Sequence, residues 1–151
     1  MKRLFLVVTA CLALVVAGCG GEKDPVKETI DRIEKAAEDR DADGVIENLA
    51  PNFTDAAGQP RQEAVDTIRR YLMAYQQLEI RISDLQINRD TNLATARFHA
   101  DLIGAPTKFG GLDSILPRSS SYDFKIELAP EGKQWKVTWA SWSESSSATT
   151  R

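Results

Sequence analysis

The chain holds only two cysteines and one histidine in 151 residues, and it carries no basic run and no internal repeat. Each scarcity excludes a class of protein. Zinc centres built from several thiolates and imidazoles lack their ligands here, so no metal or other cofactor is expected. Cys11 sits inside an N-terminal apolar stretch and Cys19 closes it, which leaves no cysteine pair for a disulfide in the body of the chain. The net charge is -3, and setting aside Lys2 and Arg3 leaves 17 basic against 22 acidic residues, or near -5. A chain of that sign without a basic patch is a poor partner for nucleic acid or anionic headgroups. The one long uncharged run, Leu4 to Val16, falls short of the roughly 20 apolar residues that span a bilayer. It is followed by Gly-Gly and charges, which argues against a transmembrane helix.

What is present at the start has a definite layout. Lys2 and Arg3 form a positive n-region, the apolar run follows, and it ends in Val16-Ala17-Gly18-Cys19. The tetrad resembles the lipobox of bacterial lipoproteins, in which small residues admit the peptidase and the cysteine thiol receives diacylglycerol. The resemblance implies a signal peptide over residues 1–18, lipidation at Cys19, and a membrane partner held through that lipid. Two or three acyl chains anchor stably where one holds only marginally. Gly20 follows the cysteine, and in Gram-negative relatives an Asp at that place favours the inner membrane. The expected address is therefore the outer membrane, facing the periplasm. The tether, residues 19–24, reaches about 20 Å at roughly 3.5 Å per residue, so the domain is expected close to the bilayer. Residues 144–151 are Ser/Thr-rich and read as a frayed tail.

The folded part, residues 25–143, reads as helices followed by strands. Asp24 can cap a helix that starts at Pro25 and repeats apolar residues at Val26, Ile30, Ile33 and Ala37. A short helical segment around Val45 to Leu49 stops before Pro51, because the residue before proline disfavours helical geometry. A third helix begins near Pro60 with Val65, Ile68, Leu72 and Tyr75 on one stripe. Four strands then alternate: Leu78, Ile80 and Ile82; Ala94 through Leu102; Tyr122 through Leu128; and Trp135, Val137 and Trp139. The apolar phase slips after Ile82 to Leu85 and Ile87, which predicts a bulge at Ser83-Asp84. The expected fold is α+β, a strongly bent antiparallel sheet of about four long strands packed against two to three N-terminal helices.

Several quoted segments resemble the NTF2-like, or SnoaL-like, superfamily across roughly Pro25 to Ser143. They are the Asp-Ala-Asp-Gly-Val-Ile segment, Leu49-Ala50-Pro51-Asn52-Phe53, the second long helix, and strands ending in Trp135-Lys136-Val137. The closing Ala140-Ser141-Trp142 and Leu116-Pro117 are similar to uncharacterised lipoproteins of that superfamily. The resemblance implies a cone with a cavity between helices and sheet. It includes isomerases, cyclases and dehydratases beside non-catalytic domains, so it implies no single activity.

Three groups of residues invite chemistry. Asp39-Arg40-Asp41-Ala42-Asp43-Gly44 matches the first half of a calcium loop, but position twelve is Ala50 where a bidentate Glu closes such loops. The alternative is a helix cap from Asp43, and the missing Glu favours it. His99 with Arg97 and Asp101 suggests acid–base work, yet the alternation puts them opposite Phe98 and Ala100, on the outer face, unless an upstream bulge reverses the facing and gives His99 and Asp101 a catalytic role. Tyr71, Tyr75, Tyr122, Phe124, Trp135 and Trp139 can be core or can line a ligand cavity. The expected pocket lining is Leu72, Tyr75, Phe98, Tyr122, Phe124 and Trp135, with no carboxylate and no catalytic residue. The connection Ile103 to Ser121, with Gly104, Phe109, Gly110, Gly111, Leu112, Ile115 and Leu116, reads as a lid or a surface excursion.

Two functional readings stand. One is a non-catalytic envelope module binding a small apolar ligand or a protein partner; the other is a small SnoaL-like isomerase or hydrolyase. An ionisable side chain inside the cavity would separate them. A monomer or weak dimer is expected, because the outer face presents Arg97, His99, Asp101, Asp123, Lys125 and Glu127, with only a small apolar patch from Ala140 and Trp142.

Overall fold

Asp24 begins the first helix as its sequence position suggests. Its carboxylate accepts the backbone N–H groups of Val26 and Lys27, at 2.8 and 3.3 Å, and Pro25 occupies the first turn. This helix, α1 (Pro25–Glu38), opens the fold in a computed structural model that describes residues 23–107 and 117–145. Residues 1–22, which include the tetrad read as a lipobox, residues 108–116 of the long connection, and residues 146–151 lie outside the described residues. A single helical turn and a half follows as α2 (Ala42–Ile46), then β1 (Leu49–Asp55) and α3 (Arg61–Met73). Four long strands complete the chain: β2 (Tyr75–Arg89), β3 (Ala94–Pro106), β4 (Ser119–Glu131) and β5 (Gln134–Glu144). No helix among the described residues is long and apolar enough to cross a membrane.

The sheet has five strands in the order β1-β5-β4-β3-β2, antiparallel except that β1 runs parallel to β5. The four long strands are those expected, and the short β1 adds a fifth at the edge. Leu49, read as the end of a helix, pairs instead with Val137, and Asp55 pairs with Ala140. Helix α2 ends at Ile46, and Asn48 turns the chain by donating from its amide to the Gly44 carbonyl.

Two bulges bend the sheet. In β2, Ser83 pairs with His99 and Gln86 with Arg97, so Asp84 and Leu85 together oppose Phe98, and Asp84 takes φ 54°. The phase slip after Ile82 predicted this position. The second bulge, between Glu127 and Leu128 on β4, lies opposite Thr138 and was not foreseen. It turns Trp139 to the outer face, over Lys125, and turns Ala140 inward to pair with Ile126. The expected inward set Trp135, Val137, Trp139 therefore breaks at its last member, and Ala140 and Trp142 belong to the inner face.

The main core gathers Val26, Ile30, Phe53, Ala96, Leu128 and Val137 where α1 crosses the sheet. A smaller cluster, Val45, Leu72 and Leu78, joins the other two helices to β2. One polar residue crosses the main core fully buried: Thr29 donates to the Trp135 carbonyl at 2.9 Å and accepts from Arg32 at 2.8 Å. Arg32 also donates to Asn48, so a satisfied polar chain pins α1 to β5 and to the end of α2. Every element lies between Pro25 and Glu144, and together they form one sheet-and-helix unit with its own core.

Candidate functional site

The inner face of the bent sheet does not fully meet the helices. A cavity of about 460 Å³ remains between Phe98, Ala100, Leu102 and Phe124 on the sheet, Ile30, Ile33 and Glu34 on α1, and Thr67, Ile68 and Tyr71 on α3. Small residues make the room: Ala100 faces the helices in the middle of β3, where a larger side chain would fill the space. The volume falls within the roughly 300–1,000 Å³ of small-molecule sites, and the walls are mostly apolar.

Of the six lining residues expected from the sequence, Leu72, Phe98, Tyr122 and Phe124 are walls of this cavity. Tyr75 and Trp135 are elsewhere. Helix α3 stops at Met73, and Tyr75 starts β2 opposite Pro106, its ring packed against Gly104 and its hydroxyl donating to the Pro117 carbonyl at 3.0 Å. Trp135 joins the main core beneath α1. Trp142 also reaches the cavity, half exposed and beside Phe124.

The expectation of a cavity without carboxylates is corrected. Glu34 and Asp55 both line it, and so does the Tyr71 phenol. Glu34 follows Ile30 by one helical turn, so the same spacing that buries Ile30 carries Glu34 to the edge of the cavity. Asp55 was hidden because β1 was not read as a strand. Once it is, Asp55 follows Phe53 onto the buried face. Its carboxylate accepts the backbone N–H groups of Ala57 and Gln59, at 2.9 and 2.8 Å, and so holds the turn before α3.

Glu34 accepts a hydrogen bond from the Ile82 backbone, on the free edge of β2. One turn further along α1, Glu38 does the same for the Ile80 N–H, at 2.9 Å. Two side chains thus occupy donors that an edge strand would otherwise offer to another chain. Partial burial raises the Glu34 pKa above the usual carboxylate value, and the charges of Glu38 and Asp31 raise it further, against a smaller opposing effect of Lys27. The Tyr71 phenol is pushed well up, first by burial and then by the neighbouring Tyr75 phenol.

His99 stays on the outer face, turned away from the cavity. Its ring bridges two carboxylates, with Nδ1 3.0 Å from Asp123 on β4 and Nε2 3.2 Å from Asp101 on its own strand. Ser121 donates to Asp101 at 2.5 Å and Ser145 to Asp123 at 2.6 Å. The hydrogen bond to Asp123 raises the His99 pKa most, with Asp101 adding to it against desolvation. The two carboxyl groups are held below their usual range, Asp101 chiefly by Ser121 and Asp123 chiefly by Ser145.

The aspartates of the calcium-like loop point to separate partners. Asp39 pairs with Lys35 at 2.7 Å and Asp43 with Arg69 at 3.0 Å, while Asp41 caps α2 through the Gly44 N–H. The cap is therefore Asp41 rather than Asp43, and Arg40 makes the intervening turn at φ 56°. Among the described residues, no cluster of three or more His, Cys, Asp or Glu side chains is arranged to hold a metal ion.

Comparison with solved structures places the fold. The chain superposes on a candidate dehydratase from the NTF2-like family of Streptomyces avermitilis with a TM-score of 0.67 at 12% identity, over 80% of this chain and 94% of that one. A candidate scytalone dehydratase from Novosphingobium aromaticivorans gives 0.67 at 11% identity, over 80% and 82%. Bd1075 from Bdellovibrio bacteriovorus gives 0.65 at 11% identity over 80% of this chain, which spans only 40% of Bd1075. At these identities the likeness shows the fold, an NTF2-like cone, and no more. No protein-family model and no curated protein matches the chain.

Proposed function

We propose that this chain is an envelope lipoprotein, anchored through Cys19, whose NTF2-like domain binds a small apolar ligand without transforming it. The observation that carries the ligand is the cavity of about 460 Å³, walled by apolar side chains from both helices and sheet. Apolar surface removed from water contributes about 25 cal/mol per Å², so such a space rewards an apolar guest. The anchor rests on the n-region, the apolar run and the Val16-Ala17-Gly18-Cys19 tetrad. Outer-membrane attachment facing the periplasm and a monomeric or weakly dimeric state belong to the same proposal.

One observation favours the second reading, a small isomerase or hydrolyase: Glu34 enters the cavity with a raised pKa. Against it, Glu34 is engaged with β2, Asp55 is engaged with its own turn, and His99 is outside. Two measurements test the proposal. Cells expressing the full chain should incorporate labelled palmitate into it, and Cys19→Ala should abolish the label; label that survives the substitution refutes the anchor. The chain from Gly20 to Arg151 should bind the uncharged fluorescent probe N-phenyl-1-naphthylamine at one site, and Ala100→Phe should abolish binding while the fold is retained. Equal binding by Ala100→Phe would place the probe elsewhere.

A further inference from the structure

Among the described residues that line the cavity there is no Lys, Arg or His. Its polar groups are Glu34, Asp55, Gln59, Thr67, Tyr71 and Tyr122. With two carboxylates and no cation, this set can meet a donor or a positive charge but has nothing to neutralise an acid. An apolar acid would have to bury its carboxylate beside Glu34 with Glu38 and Asp31 close by, which is unfavourable without a paired cation. Lys27, the basic residue whose charge acts on Glu34, is held by Asp31 at 2.7 Å. Asp55 already accepts two backbone N–H groups, whereas Glu34 accepts one from Ile82, and a carboxylate has about four lone-pair sites. Glu34 therefore keeps accepting capacity for a guest. Tyr71, Phe124 and Trp142 also line the space, and aromatic rings can attract cations through their faces.

Resting on the ligand-binding reading above, we infer that the cavity selects apolar molecules whose polar end is an amine or hydroxyl donor seated on Glu34, and that it rejects apolar acids. Three probes sharing one tail separate head-group chemistry from burial: decylamine, decanol and decanoic acid. Each is used below its aggregation threshold to displace N-phenyl-1-naphthylamine from the chain running from Gly20 to Arg151, at pH 7. Decylamine should displace at a concentration at least tenfold lower than decanoate, with decanol between them. Glu34→Gln keeps an oxygen to accept the Ile82 N–H, so the fold should hold, and it should shrink the amine-to-acid gap to within about threefold. Glu131→Gln, on the exposed β4–β5 turn, removes the same overall charge and should leave the gap intact. Decanoate displacing as well as decylamine, or a gap that Glu131→Gln narrows as much as Glu34→Gln does, overturns the inference while leaving the cavity reading standing. Failure of the naphthylamine probe to bind the unsubstituted chain overturns the cavity reading and this inference with it.

Discussion

His99 bridges two carboxylates, so the titrations of three side chains are linked at one point of the outer face. Its pKa is raised in the folded chain, which means the folded state binds that proton more tightly than the unfolded state does. The stabilisation is complete below the ordinary histidine pKa of about 6.5 and is lost as pH rises through the folded value. Asp101 and Asp123 act in the opposite sense: their lowered pKa stabilises above the ordinary value of about 3.9 and fades as pH falls through the folded value. A proton NMR titration of the His99 ring should therefore show a midpoint above that of a free histidine, moving down in Asp123→Asn. A midpoint at or below the free value would mean that the bridge does not persist in solution.

Inside the cone, Phe98 stacks on Phe124 with ring centroids 5.2 Å apart, yet it remains only partly buried because the cavity borders it. Phe98→Ala should cost about 2 to 3 kcal/mol in chemical denaturation, below the roughly 3 to 5 kcal/mol of a fully packed phenylalanine. A loss above 4 kcal/mol would indicate that the cavity is filled by side chains in solution. The facing of Phe98 and His99 was legible in the sequence because strand alternation has a strict period of two. The approach of Glu34 was not, since a residue at the border of a helical stripe can be turned either to solvent or to the cavity, and only the crossing of α1 over β2 decides which.

At the scale of elements, legibility depended on whether a break in pattern left its own trace. The bulge at Asp84 did, because Leu85 and Ile87 resume alternation out of phase. The one opposite Thr138 did not, because Trp139 and Trp142 are both aromatic and either can be read as inward. Strand β1 escaped for another reason: it is an edge strand interrupted by Pro51, and proline is tolerated where a ladder donor is not needed. The end of α3 was placed too late because Tyr75 continues the helical stripe by accident of spacing. What uses Tyr75 is a close approach to Gly104, where an added Cβ would collide with the tyrosine ring. That ring is buried and tied by its hydroxyl, so it has little freedom to yield. Gly104→Ala should destabilise the domain by about 1 to 3 kcal/mol, the usual cost of overpacking. A neutral result in the same denaturation assay would show that the β2–β3 end is looser than its packing implies.

For the molecule as a whole, the division of labour follows from where charge is allowed. The outer face carries most of its central charges in mutual pairs, His99 with two aspartates and Lys125 with Glu127. The inner face is apolar except for the acceptors described above. Pairing two copies through the outer face would desolvate those groups, and sedimentation at micromolar concentration should accordingly report a monomer or a weakly associating dimer. A tight dimer would show that the charges match across a two-fold axis.

Whether the cone holds an apolar guest is read out by native mass spectrometry of the protein extracted in mild detergent from the cells that make it. The spectrum should show the chain with one small molecule bound, released on denaturation and missing from Ala100→Phe. A chain that carries nothing, together with failure to bind the naphthylamine probe, would mean that the cone holds no guest.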